Sequence, residues 1–333
     1  MGNVGRCLIL PLYATTGSIL GGRTESTLPR RGLDSRAQGG ALGTPHSVRA
    51  GCMNRITSAQ NPRVKNAVRL RDGRRRRAQG RILIDGVREI ERAVAAGVAL
   101  SEVFVCPGVC TAEAAALVER LPAAGPELFE VTESVFLKLA FGQRAEGVLA
   151  VAEAPAAALA TLRPPENALV AVLEGIEKPG NVGAVVRSAD GAGLDAVVVA
   201  DPRTDLFNPN AIRASLGVIF SVPVREAAGA EVLAWLREHG LRVVAARVDG
   251  SVPYTEVDYR QPTAIVLGSE AEGLSPLWQG DDVTAVRLPM LGAADSLNVS
   301  AAAAVLFYEA RRQRGVGVSQ GDCRKAAPTH IRG

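Results

Sequence analysis

Three short stretches gather the side chains that could do chemistry. The first, EGIEKPGNVGAVVRSADGAG over residues 174–193, sets Gly180 and Gly183 around Asn181 at a helix start and carries Arg187 further along the same helix. The second, IVLGSEAEGL over residues 265–274, runs an apolar strand into a glycine turn bearing Glu270. The third brackets a sharp loop with Pro289 and Gly292, then places Ser296, Asn298 and Ser300 in the opening turn of an Ala-rich helix. Capping a helix needs one such residue, for which Ser296 is the ordinary choice, so Asn298 and Ser300 ask for another role. Other chemistries are poorly supplied. His46, His239 and His330 are too few and too scattered for a histidine metal cluster or a Ser-His-Asp triad. Five cysteines, an odd number with no CxxC pair, argue against a disulfide framework or a structural zinc and for reduced thiols inside a cell. Gly191–Ala196 fits the GxGxxA pattern of dinucleotide sites, but that fingerprint must follow a strand and open a helix. Here it closes a helix and opens a strand, so a glycine C-cap is the expectation.

Strands and helices must aim these loops. Ala168–Leu173 reads as a buried strand, followed by a helix over Val182–Asp190, a strand at Ala196–Ala200 and a helix near Pro209–Leu216. A strand around Ile219–Val224, a helix at Glu231–His239, and strands at Arg242–Ala246, Ala264–Gly268 and Val283–Leu288 come next. Leu297–Arg314 is the long final helix. Continuous apolar strands alternating with helices imply a parallel sheet covered on both faces. Ligands in such sheets bind beyond the carboxyl ends of the strands, which points to the loops after Leu173, Leu267 and Leu288. Upstream, strands at Ile82–Asp85, Glu102–Cys106, Leu128–Val131 and Val148–Ala152 alternate with helices at Val87–Ala96, Thr111–Arg120 and Glu133–Ala140. They make a small α/β/α unit over 81–153, joined by a linker with Pro155, Pro164 and Pro165 over 154–167 to a second domain over 168–314.

Charge separates the chain further. Of 38 basic residues 34 are Arg, and residues 53–93 hold twelve basic against four acidic, a net +8, while 94–333 sum to −8. Local basic charge suggests a polyanion partner. Within the basic segment 53–80, the run Arg74, Arg75, Arg76 and Arg77 is the candidate phosphate-contacting patch, against a solvated helix face or flexible arm. Residues 1–52 are Arg-rich, acid-poor and without periodicity, a transit-peptide-like composition. We expect them to be disordered or a mis-started extension, with Met53 as the true start, and 315–333 to be a flexible tail. No apolar run approaches the roughly 20 residues a membrane helix needs.

Taken together, and in this order at these strand ends, the three motifs closely resemble the SpoU/TrmH family of RNA ribose 2′-O-methyltransferases, of the SPOUT superfamily. The resemblance covers roughly 168–314; ILIDGVREIERA over 82–93 is similar to the family's ribosomal-protein-like RNA-binding domain, and ITSAQNPRVKNAVRL over 56–70 to the way such chains begin. The second motif departs from many members at Ala271-Glu272, while Gly268, Glu270 and Gly273 stand. The resemblance implies a SPOUT-type trefoil-knotted parallel sheet, against the general rule that chains do not knot. It also implies S-adenosylmethionine as cofactor, no metal, a homodimer and cytoplasmic RNA, most of all 23S rRNA, as substrate. Modification of tRNA, or an inactive RNA-binding protein of the same fold, is the alternative. Backbone around Leu267, Gly268, Leu288, Met290 and Leu297 would hold the cofactor. The family assigns base work to the first-motif arginine, here Arg187. A guanidinium stays protonated, so orienting ribose and phosphate is the role retained for it. Asn181 and Glu270 would position substrate and Arg187, and Ser296 and Asn298 would fix ribose and cofactor.

Overall fold

The computed structural model describes residues 53–122, 125–141 and 146–315. The expectations for 1–52 and for the tail beyond residue 315 lie outside the described residues.

The first half comprises β1 (Asn54–Ile56), α1 (Pro62–Arg69), α2 (Gly73–Gln79), β2 (Arg81–Asp85), α3 (Val87–Ala95), β3 (Leu100–Val105), α4 (Ala112–Arg120), β4 (Glu127–Val131), α5 (Glu133–Leu139) and β5 (Val148–Glu153). Its five strands lie in the order β1-β4-β3-β5-β2, with β5 antiparallel to β2 and β3 and the other pairs parallel. Period-two alternation builds the layers. Ile82 and Ile84 of β2 face a core shared with α3 and α4, while Leu83 between them faces a second core with Val64 of α1 and Phe136 of α5. The basic segment is part of this body, because β1 pairs with β4 and Arg71 donates to the carbonyls of Lys138, Leu139 and Ala140 at the end of α5. Those carbonyls have no partner within their helix, and a cation suits that end.

The second half comprises β6 (Leu169–Glu174), α6 (Pro179–Ala192), β7 (Ala196–Ala200), α7 (Pro209–Ala214), β8 (Val224–Ala227), α8 (Gly229–Glu238), β9 (Arg242–Ala246), β10 (Val252–Pro253), β11 (Thr263–Leu267), β12 (Val283–Arg287) and α9 (Val299–Gln313). Its all-parallel sheet has the order β10-β12-β9-β11-β6-β7-β8. Leu169, Ala171 and Leu173 face α6, α7 and α9, whereas Val170 and Val172 face α8, so the central strand is apolar on both sides. β11 is laid between β6 and β9 after both, which brings the loops following β6 and β11 side by side. One sequence expectation fails here. Ile219–Val224 is not a strand: Val218–Phe220 form a 3-10 turn after Gly217 at φ +81°, and β8 begins only beyond Pro223. Val218, Ile219 and Val222 are buried core residues, so the apolar run fills space without pairing.

The two halves share one apolar core, which runs from Ile84 and Ile90 through to Val182 and Leu306. The segment read as a linker lies along the second sheet, with Leu159 and Leu162 buried and Glu226 N–H donating to the carbonyl of Ala157 at 2.8 Å. Polar ties cross the junction. Arg76 Nε donates to Asp205 Oδ2 at 2.9 Å, Arg213 donates to the carbonyl of Phe141, and Arg92 to that of Leu216.

Candidate active site

Asn181 lies in the first turn of α6, whose entry is shaped by Pro179, a residue suited to a position that needs no N–H partner. Two residues on, Gly183 lets α6 meet α7 closely: a Cβ there would stand 2.3 Å from the carbonyl oxygen of Ala211. Gly268 serves the loop after β11 in the same way, since a Cβ would meet the carbonyl of Gly273 at 2.3 Å. Ser269 and Gly273 exchange backbone hydrogen bonds of 3.1 and 3.0 Å across this turn. The loop is anchored beneath by Glu174 at the end of β6, a buried carboxylate that accepts from Ser275 N–H and Oγ at 2.7 Å each.

So held, Glu270 is the hub. Its Oε1 accepts from Asn181 Nδ2 at 3.0 Å and from Asn298 Nδ2, and its Oε2 accepts from Lys178 Nζ at 2.9 Å. Donation by the Lys178 ammonium holds the Glu270 carboxyl below the usual carboxylate range, with the Asn181 amide adding to the effect. Asn298 is the N-cap of α9; its Oδ1 accepts from Ser300 N–H at 2.9 Å and Ser300 Oγ at 2.6 Å. The cap is thus Asn298 and not Ser296, and the helix starts two residues later than its apolar pattern suggested.

Glu270 also stands where two hollows meet. A cavity of about 850 Å³ runs between the loops after β9, β11 and β12, and all five residues expected to hold a cofactor line it: Leu267, Gly268, Leu288, Met290 and Leu297. Ser296, Asp249 and Asp295 line it as well. A smaller hollow of about 200 Å³ on the α6 side is lined by Lys178, Asn181 and Glu270. The large one offers exposed backbone, apolar walls and carboxylates, the mixture a purine nucleoside with a cationic amino-acid arm requires.

The remaining expected residues lie apart from this cluster. Arg187 is exposed on α6 and has no hydrogen-bond or ionic partner among the described residues. Arg74, Arg75 and Arg77 are exposed on α2, but Arg76 is 3% exposed, donating to the carbonyl of Leu70 at 2.7 Å as well as to Asp205. Arg76 therefore drops out of the RNA-contacting set: its fork is spent inside the protein. The GxGxxA match is a helix end, with Gly193 capping α6 at φ +67°. Lys178 and the Glu174–Ser275 tie were missed from sequence. Their partners are 92 and 101 residues away, a pairing that only the strand order creates.

Comparison with known proteins bears on this geometry. Residues 168–308 match the SpoU rRNA Methylase family, and residues 61–150 match the MRM3-like substrate binding domain. A solved RNA 2′-O ribose methyltransferase is 46% identical and superposes with a TM-score of 0.70, over 78% of this chain and 99% of its own. The chain belongs to the SpoU/TrmH family. Its fold is accordingly the helix-flanked parallel sheet of the SPOUT methyltransferases preceded by a substrate-binding domain, and it is an S-adenosylmethionine-dependent RNA 2′-O-methyltransferase of that family. It is similar to the Bacillus subtilis 23S rRNA (guanosine(2553)-2'-O)-methyltransferase RlmP, 29% identical over 78% of this chain and all of that one. It is also similar to the SpoU methyltransferase AviRb of Streptomyces viridochromogenes, solved with AdoMet: 29% identity, TM-score 0.71, 78% of this chain and 100% of the other.

Proposed function

We propose that this SpoU/TrmH protein methylates the 2′-hydroxyl of one nucleotide in 23S rRNA, working as a homodimer in the cytoplasm. The observation that carries the reading is Glu270, a carboxylate fixed by Asn181, Asn298 and Lys178 on the wall common to a cofactor-sized cavity and a smaller hollow. Leu267, Gly268, Leu288, Met290 and Leu297 would hold S-adenosylmethionine in the larger space, with Asp295 as an acceptor for its polar groups. When bound, it supplies a methyl group on a sulfonium, ready for in-line transfer. Placing the hydroxyl in line is the protein's main contribution, because correct geometry removes much of the barrier. Glu270 keeps the two amides in fixed orientation, Ser296 reaches the ribose, and Arg187 orients the ribose through the adjoining phosphate, the hydroxyl proton passing to water as the oxygen takes the methyl group.

Exposed Lys65, Arg69, Arg74, Arg75 and Arg77 support RNA binding by the first domain. The homodimer is supported by apolar exposure on α9, where Val305 and Tyr308 are uncovered beside Gly191 of α6, one turn from Arg187. A second copy on that face would bring Arg187 into an interface. No helix among the described residues is long and apolar enough to cross a membrane. The reading is tested by transfer of labelled methyl to rRNA and to tRNA. Label in 23S rRNA as a 2′-O-methylnucleotide supports it, and label in tRNA alone moves the substrate to the alternative.

A further inference from the structure

The loop between β7 and α7 carries a cation with no part in the scheme above. Arg203 donates to Glu177 Oε1 at 2.9 Å and to Glu272 Oε2 at 2.6 Å, bridging the loop after β6 to the loop after β11. Glu177 lines the small hollow and Glu272 the large cavity, so the bridge spans the rim of the site. The loop that presents Arg203 is pinned on both sides. Asp201, at φ +47°, accepts from Gly229 N–H at 3.0 Å. Asp205 accepts from Phe207 N–H at 2.9 Å and holds buried Arg76 of α2. The Arg203 side chain itself remains 46% exposed.

Charge makes this bridge more than a brace. Glu177, Glu270 and Glu272 crowd one rim, offset by Lys178 and Arg203. A phosphate-bearing strand must come to this rim and would meet three carboxylates. Water screens exposed guanidinium–carboxylate pairs, which makes them weak. A phosphodiester can take both prongs of the guanidinium fork at once, whereas each carboxylate here takes a single N–H. Exchange of partners therefore favours the phosphate once the strand is near.

We propose that Arg203 receives a phosphodiester of the bound strand other than the one assigned to Arg187, giving up Glu177 and Glu272 to solvent as the RNA seats. The proposal rests on the RNA-methylating reading. It is tested by steady-state methyl transfer to rRNA over a series of salt concentrations. The proteins compared are the wild type, Arg203→Ala and the double variant Glu177→Gln/Glu272→Gln. Arg203→Ala raises KM for RNA about ten-fold, the scale of one lost charge-assisted contact. It flattens the log–log salt slope by about 0.7, the share of one phosphate on a single strand. Its Kd for S-adenosylmethionine, read by calorimetry, stays at the wild-type value. The double variant frees the guanidinium and lowers KM for RNA below wild type. A bridge that only braces the loops would make both variants worse, so a raised KM in the double variant overturns the proposal. An unchanged salt slope in Arg203→Ala does the same. Either result beside normal wild-type transfer leaves the methyltransferase reading standing, whereas a wild type that transfers nothing to RNA overturns both.

Discussion

Glu270 works through its partners, and its ionisation matters only at the acid end. The Lys178 ammonium keeps its pKa depressed, so the carboxylate is charged across the neutral range. A depressed acid adds stability that is present above its unfolded pKa and is lost as pH falls through the folded one. Glu270→Gln keeps the shape but loses the charge that orders Lys178, Asn181 and Asn298. Turnover should drop by about 2.7–4 kcal/mol of transition-state stabilisation, the scale of one preorganised polar group. Arg187→Ala should lose a similar amount while Kd for S-adenosylmethionine stays near wild type, a contrast that single-turnover kinetics and calorimetry can check. Glu270 was legible in the sequence because it sits where a strand pattern stops and a loop begins, and Arg187 because it lies on the helix that such a loop opens. Lys178 and Arg203 were not, because their worth comes from carboxylates on loops that only the inserted β11 brings near.

At the scale of elements, close backbone approach explains why glycines recur in the motifs. Gly268→Ala would force a Cβ against the Gly273 carbonyl and should destabilise the fold by about 1–3 kcal/mol, the usual range for overpacking. The same change should weaken cofactor binding, to be read by thermal melting with and without S-adenosylmethionine. Apolar runs and helical spacing gave every strand from β2 to β7 from the chain alone. The same reasoning failed at Ile219–Val224, where apolar residues before Pro223 serve burial instead of pairing. A second element-level consequence lies at the end of β2. Asp85 accepts from Phe141 N–H at 2.6 Å, and burial pushes its carboxyl from 3.8 up to about 6. Neighbouring Glu146 and Glu89 act in the same direction, and Arg213 against it. A raised acid stabilises the fold below its unfolded pKa, and that contribution is lost as pH rises through the folded one. Wild type should therefore lose roughly 2 kcal/mol between pH of about 4 and about 7 relative to Asp85→Asn. Parallel melting curves for the two proteins across that window would show it.

Across the whole molecule, the arginine run divides between two duties. Arg76 joins α2 to Asp205 in the second half, and breaking that buried pair should cost about 3 kcal/mol of stability. Changing Arg74, Arg75 and Arg77 together to Gln should leave melting intact, raise KM for RNA and reduce the salt slope. Nothing in a row of four arginines distinguishes the third. Its role appears only when α2 is seated against the β7–α7 loop. The most direct measurement of the account as a whole is methyl transfer itself. Unmodified 23S rRNA is incubated with the protein and methyl-labelled S-adenosylmethionine in chelator, then digested to nucleotides and mapped. Label is expected at a single ribose 2′-oxygen, reduced about a hundred-fold or more by Glu270→Gln. Label on a base, or equal transfer by the Glu270→Gln protein, would contradict it.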